Sequence, residues 1–169
     1  QSSYHVAVIF IGGADDAESL SYAARMVMHP HVSLTVFRFL FLGSDNMRER
    51  KIDNNLIDEI RHVNIGNERF AYQEEIIRDS VGLAASATRL GGSFDLILVG
   101  RNHQESPLLE GLGAWIGCPD LGVIGDMLAE PDFERTASIL VVQQQRLKGK
   151  VMKRISKPVV IDQEPFHAT

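Results

Sequence analysis

The stretch that decides the fold is FDLILVGRNH, residues 94–103. Apolar residues run without alternation through 96–99 and stop at Gly100, which predicts a strand buried on both faces, as in the middle of a parallel sheet. In open α/β sheets, ligands bind just beyond the carboxyl ends of the central strands. The polar residues that follow this strand are Arg101, Asn102 and His103.

A second apolar run, residues 6–11, leads into Gly12-Gly13-Ala14-Asp15-Asp16. The two glycines permit a tight turn, and Asp15 or Asp16 is predicted to cap the helix that follows. Because these two runs are the most apolar in the chain, we expect them to form neighbouring central strands.

Strand and helix patterns alternate along the rest of the chain, which predicts a parallel sheet with crossover helices. The predicted strands are 5–11, 32–40, 69–74, 94–100 and 138–143. The predicted fold class is therefore α/β: an open, Rossmann-like sheet of five parallel strands in the order 3-2-1-4-5, with helices on both faces. The switch point lies between strands one and four, and strand 138–143 lies at an edge.

Periodic apolar residues mark the inner faces of three helices. The first helix should bury Ala17, Leu20, Ser21, Ala24, Val27 and Met28. The second, residues 47–63, should bury Ile52, Leu56, Ile60 and Val63. The third, residues 75–90, should bury Ile77, Val81, Ala84 and Thr88. A short helix is expected over 120–129.

Length and composition narrow the class of protein. The 169 residues indicate one domain, which we place at residues 1–145, followed by a basic tail at 146–169. The net charge of −5 argues against nucleic-acid binding. A single cysteine, Cys118, excludes an internal disulfide. Since the chain begins at Gln1 without an initiator methionine, we expect a piece of a longer protein.

The candidate regulatory or ligand-binding site is the switch point, where glycines and charged side chains should converge. Its residues are Gly12, Gly13, Asp15, Asp16, Gly100, Arg101, Asn102 and His103. One aspartate is expected to meet Arg101 or His103, and histidine titrates near cytosolic pH. The alternative is that the aspartates only cap the helix and the histidine is structural. No third metal ligand and no nucleophile–base pair is apparent, so we expect neither a metal site nor an enzyme.

Six segments carry a resemblance to a known family: IGGADD (11–16), SYAARM (21–26), HPHVSLTVFRF (29–39), DLILVGR (95–101), CPDLGVIGD (118–126) and SILVVQQ (138–144). They resemble the carboxyl-terminal cytosolic region of plant CHX-type cation/proton exchangers, in the monovalent cation:proton antiporter-2 family. The resemblance implies a universal-stress-protein-like fold and a regulatory role beside a membrane transporter half that exchanges potassium or sodium for protons. It also implies a location on the cytosolic face of an endomembrane or the plasma membrane.

The same resemblance raises the alternative of a nucleotide sensor. Universal stress proteins that bind ATP carry a glycine motif after strand four, and two of its four positions match here. The four positions are Gly100, His103, Gly113 and Ala114. Because the motif is incomplete, we expect no cofactor, and a hydrolase of adenine nucleotides would lack the same phosphate cradle. Many stress-protein-like domains pair, so we expect a homodimer through strand 138–143 or its flanking helix.

Overall fold

In the computed structural model, the described residues are 3–41, 47–103, 106, 109–130, 136–145 and 155–161. The strands are β1 (Tyr4–Phe10), β2 (Val32–Phe41), β3 (Phe70–Ile77), β4 (Leu96–Gly100), β5 (Ser138–Gln145) and β6 (Ile155–Ile161). The helices are α1 (Ala14–Met26), α2 (Met47–Val63), α3 (Ser80–Leu90) and α4 (Gly122–Ala129). Two short 3-10 helices, Leu112–Trp115 and Pro119–Leu121, lie between β4 and α4.

The strands form one sheet in the order β3-β2-β1-β4-β5-β6. The first five strands are parallel, so the predicted fold class and strand order are confirmed. The prediction that β5 lies at the edge is wrong, because β6 pairs with it in antiparallel orientation. Lys157 and Pro158 interrupt the apolar pattern of β6, and proline is tolerated in an edge strand because its missing N–H can face away from the sheet.

The predicted basic tail therefore contributes a strand to the same sheet. Its cluster of basic residues between Arg146 and Arg154 lies outside the described residues. A domain boundary after residue 145 stays a prediction.

Two apolar layers enclose the sheet, and this explains why apolar and polar residues do not alternate along its central strands. On one face, Ile9 and Val99 pack in a layer with Leu83 of α3 and Ile124 of α4. On the other face, the layer contains Val8, Leu98, Leu20 of α1 and Ile57 of α2. The predicted placement of helices on both faces is confirmed. Among the described helices, none combines the length and apolarity needed to cross a lipid bilayer.

The predicted inner face of α1 is rotated in part. Met28 is 80% exposed, whereas Leu20, Ala23 and Val27 are buried. The buried stripe begins at Asp16, a residue that the sequence analysis treated as a cap. Because the stripe starts with a polar residue, a prediction from apolar residues alone placed the buried face of α1 slightly too far round the helix.

The predicted inner faces of α2 and α3 contain similar errors. In α2, Ile60 is buried as predicted, but Ile52 and Val63 are 65% and 76% exposed, and Asp53 and Ile57 are buried in their place. In α3, Val81 is 75% exposed, whereas Leu83, Ser86, Ala87 and Leu90 are buried. The predicted start of α3 is wrong, because Ile77 ends β3 and the Asp79 side chain accepts a hydrogen bond from the Gly82 N–H at 2.8 Å as the N-cap.

Candidate functional site

Two glycines turn the chain from β1 into α1. Gly12 has a φ of 147° and Gly13 a φ of 104°, values that side chains with a Cβ rarely adopt. Gly13 is the N-cap, and no side chain caps it. The prediction that Asp15 or Asp16 caps α1 is therefore wrong: both lie inside the first turn, where the helix dipole favours negative charge.

Asp16 holds this turn together from inside the protein. Asp16 is 0% exposed. Its Oδ2 atom accepts hydrogen bonds from the backbone N–H groups of Ile11 and Gly12, each at 2.8 Å. The carboxylate therefore satisfies two donors that the turn would otherwise leave buried without partners.

His103 approaches the same carboxylate from the segment that follows β4. Its Nδ1 atom lies 2.8 Å from Oδ1 of Asp16 and 3.0 Å from Oδ2. Only the approach to Oδ2 has hydrogen-bond geometry, since Oδ1 has no hydrogen-bond partner. The two side chains are 1% and 0% exposed. The predicted contact between an aspartate and His103 is thus present, and it is fully enclosed.

The carboxylate changes the protonation of the imidazole. Burial alone would lower the pKa of His103, but attraction to Asp16, the hydrogen bond to it and attraction to Asp15 together raise that pKa above its ordinary 6.5. An ionised carboxylate only accepts hydrogen bonds, so Nδ1 carries a hydrogen in both the neutral and the charged imidazole. The titrating proton is therefore on Nε2, which is buried and has no hydrogen-bond partner among the described residues.

Asp15 connects three elements at the carboxyl edge of the sheet. The residue is 7% exposed. Its Oδ2 accepts from the backbone N–H and the side-chain amide of Asn102, at 2.9 and 3.0 Å. Its Oδ1 accepts from the backbone N–H of Gln144 on β5, at 2.8 Å. The start of α1 is thereby fastened both to the end of β4 and to β5.

Arg101 points away from this cluster, so of the two partners expected for an aspartate of α1, His103 makes the contact and Arg101 does not. Its Nη1 donates to Oε1 of Gln143 at 2.9 Å, and its Nη2 lies 3.3 Å from Oδ1 of Asp120. The Asp120 side chain is 90% exposed. Such an ion pair stabilises the fold by at most about 1 kcal/mol.

Two glycines allow these backbones to approach each other. A Cβ on Gly100 would overlap Oδ1 of Asp16 and lie 2.9 Å from the Asp16 backbone nitrogen. A Cβ on Gly122, which has a φ of +74°, would overlap the carbonyl oxygen of Arg101. Gly100 therefore admits the first turn of α1, and Gly122 brings α4 against the segment after β4.

Sequence reasoning missed a further buried carboxylate near the site, Asp126 on α4. It is 8% exposed and accepts from the backbone N–H groups of Gly117 at 3.0 Å and Cys118 at 2.7 Å. An acidic residue within an apolar helix was the available signal. The contact of Gln144 with Asp15 had no such signal, because Gln144 donates its backbone N–H, which every residue except proline has.

Other unpartnered polar atoms are few. In the part of the chain that the structure describes, Ser19 Oγ of α1 and Arg38 Nε of β2 are also buried without a hydrogen-bond partner. The described residues contain no group of three or more His, Cys, Asp or Glu side chains able to hold a metal ion. Cys118 is exposed and free.

Comparison with known proteins identifies the family. Residues 3–143 match the family described as "Plant cation/H(+) antiporter, C-terminal domain". The chain belongs to this family, as its resemblance implied.

Relatives from Arabidopsis thaliana agree with this match. Cation/H(+) antiporter 14 is 42% identical over 148 residues, which cover 83% of this chain and 18% of that protein. Cation/H(+) antiporter 15 is 38% identical over 163 residues, covering 84% and 20%. Cation/H(+) symporter 13 is 41% identical over 145 residues, covering 84% and 17%. The chain thus spans no more than 20% of the length of these curated relatives.

Among solved structures, the crystal structure of a universal stress protein in complex with cAMP is similar at a TM-score of 0.48 and 14% sequence identity. The similarity covers 84% of this chain and 98% of that chain.

Proposed function

We propose that the chain is the cytosolic regulatory domain of a monovalent cation/proton antiporter that transports potassium. It acts without catalysis, packs against the membrane part of the same transporter and forms a homodimer. The supporting observation is family membership over residues 3–143, together with relatives that extend far beyond the matched region. The net charge of −5 is consistent with a protein rather than a nucleic-acid partner.

The observation that carries a regulatory role is the cluster of Asp15, Asp16 and His103 at the switch point. Replacing buried ionic groups by apolar residues of similar volume is often neutral or stabilising, so stability alone gives little reason to keep them. Asp15 also connects α1, β4 and β5, which couples any change in the cluster to three elements. Regulation requires such a site whose state changes and an element that responds.

Growth complementation by the full-length transporter tests this role, with Asp15→Asn compared against Asp126→Asn. Both aspartates are buried, at 7% and 8% exposure, and both accept backbone N–H bonds, but Asp126 lies outside the switch-point cluster. At matched protein abundance, we expect Asp15→Asn to impair potassium-dependent growth and Asp126→Asn to impair it much less. Equal growth with both variants would contradict the proposal.

The alternative function is a nucleotide-sensing module of the stress-protein type. It is less well supported, because the buried carboxylate of Asp16 lies against Gly100, where the glycine motif begins, and would repel a phosphate. Calorimetric titration with ATP, AMP and cyclic nucleotides separates the two functions. Saturable heat with any of them would favour the nucleotide sensor.

A further inference from the structure

We propose that His103 and Asp16 form a proton-operated latch between the first turn of α1 and the segment that leaves β4. The latch is closed while the imidazole carries its second proton and loosens when that proton leaves. This inference deepens the proposed function by naming its signal, and only its link to transport rests on that function.

The geometry assigns the two imidazole nitrogens different roles. Nδ1 lies against both oxygens of Asp16 and keeps its hydrogen in either state. Nε2 gains and loses the proton inside the protein, where solvent does not screen the change. Loss of this one proton therefore converts an enclosed ion pair into a neutral imidazole beside a carboxylate.

The groups around the His103 imidazole leave it as the positively charged member of the cluster with Asp15 and Asp16. From α1, Asp16 and Asp15 both attract the charged imidazole. From the end of β4, Arg101 directs its guanidinium to Gln143 and Asp120 instead. Toward β5, Asp15 accepts a hydrogen bond from the backbone N–H of Gln144, which carries no charge.

Loss of the proton therefore leaves two neighbouring buried carboxylates without the imidazolium. Their remaining described partners are neutral N–H groups: Nδ1–H of the uncharged imidazole and the backbone N–H groups of Ile11 and Gly12 for Asp16, and the N–H groups of Asn102 and Gln144 for Asp15. Repulsion between the carboxylates then favours opening of the contact between α1 and the segment after β4. That segment is held by Asp15 through Asn102, so opening at His103 is transmitted to it.

Nuclear magnetic resonance of the 169-residue chain tests the latch directly. The imidazole ¹⁵N shifts are followed from about pH 5 to about pH 9. We expect His103 to remain half protonated above pH 6.5 and to hold its neutral hydrogen on Nδ1, the less common tautomer. The exposed His29 and His31 serve as references in the same spectra. Titration of His103 below pH 6.5, or a neutral hydrogen on Nε2, would overturn the proposal.

The variant Asp16→Asn tests whether the Asp16 carboxylate holds the second proton on His103. Without the carboxylate charge, burial lowers the pKa of His103, so its titration should move to lower pH. An unchanged titration would show that Asp16 does not hold the proton. Should this variant fail to fold, the tautomer and titration of the unaltered chain still decide the question.

Amide hydrogen exchange measures the opening. After correction for intrinsic exchange rates, protection of the Gly12 and Asn102 amides should fall about fivefold or more as pH rises through the His103 titration. The Leu34 amide, bonded to the Arg69 carbonyl between β2 and β3, should not change. Uniform behaviour of all three amides would overturn the latch.

The link to transport is tested separately with His103→Gln in the full-length transporter. We expect the dependence of potassium-dependent growth on cytosolic pH to flatten relative to the unaltered transporter. If the titration and the amide changes are observed but this dependence is retained, the latch stands and the proposed regulatory function fails.

Discussion

The Nδ1 atom of His103 lies 2.8 Å from Oδ1 of Asp16, although the two residues are 87 positions apart in the chain. One side chain follows the central strand β4, and the other lies in the first turn of α1. Neither is exposed by more than 1%. Removing one charge from a pair in such an environment costs far more free energy than it does on the surface, because the other charge is left buried without its partner.

The first prediction concerns the stability of the fold against pH. Because the pKa of His103 is raised in the folded chain, its contribution to stability is fully present below pH 6.5 and is lost as pH rises through the raised value. The free energy of unfolding should therefore fall above neutral pH, more steeply for the unaltered chain than for His103→Gln. Urea denaturation between about pH 6 and about pH 9 measures this difference. A difference that stays constant or grows with pH would contradict the prediction.

The second prediction concerns the close approach at Gly100. A methyl group there would overlap Asp16, which is 0% exposed and has no room to move. Gly100→Ala should lower the free energy of unfolding by about 2 kcal/mol, as overpacking of a core does. Gly92→Ala is the control, because no described atom lies within 4 Å of its added Cβ, and it should change stability by less than about 0.5 kcal/mol. Equal effects of the two variants in urea denaturation would argue against tight packing at the switch point.

The third prediction concerns Arg69, whose Nη1 atom donates to the carbonyl oxygens of Val27, His29 and Val32 at 2.7 to 2.8 Å. The carbonyls of Val27 and His29 belong to the connection between α1 and β2, and that of Val32 to the first residue of β2. Arg69→Met keeps the apolar stem but removes the donors, and should destabilise the chain by about 2 kcal/mol. Arg89→Met removes an exposed ion pair to Glu75 at 3.3 Å and one hydrogen bond to Ser86 Oγ at 2.9 Å, and should cost less than about 1 kcal/mol. Thermal unfolding of both variants gives the comparison, and a reversed ranking would refute it.

The fourth prediction concerns the edge of the sheet. Truncation after Gln145 removes β6 and leaves the hydrogen-bonding edge of β5 unpaired. Unpaired strand edges promote association between chains. The truncated chain should therefore self-associate more strongly than the full chain, as measured by sedimentation across a range of concentrations. A truncated chain with the same mass as the full chain at every concentration would show that β6 does not protect this edge.

The first interface predicted for the homodimer, the edge of β5, is not free to pair with a second chain because β6 covers it. The flanking helix remains as the predicted interface. The same sedimentation experiment on the full chain decides between monomer and dimer.

The sequence by itself determined the strand order and which chain segments meet at the candidate site. Burial on both faces of a parallel sheet demands continuous apolar runs, and β1 and β4 carry them in residues that are 0 to 7% exposed. Since parallel strands align their carboxyl ends, the residues after β1 and β4 had to meet at one edge. Local sequence was sufficient for this, because each apolar run is contiguous and can be recognised without knowing which distant elements cover it.

Only the tertiary structure decided which side chains meet within the site and which helix faces are buried. Asp16 reaches His103, Asp15 reaches Asn102 and Gln144, and Arg101 reaches none of these aspartates. The buried stripe of α1 begins with an aspartate, which no count of apolar residues reveals. The sixth strand was hidden because its pattern contains a lysine and a proline. In each case the deciding contact is made by a residue far away in the chain, and its free energy depends on distance, direction and enclosure, which exist only after the sheet has formed.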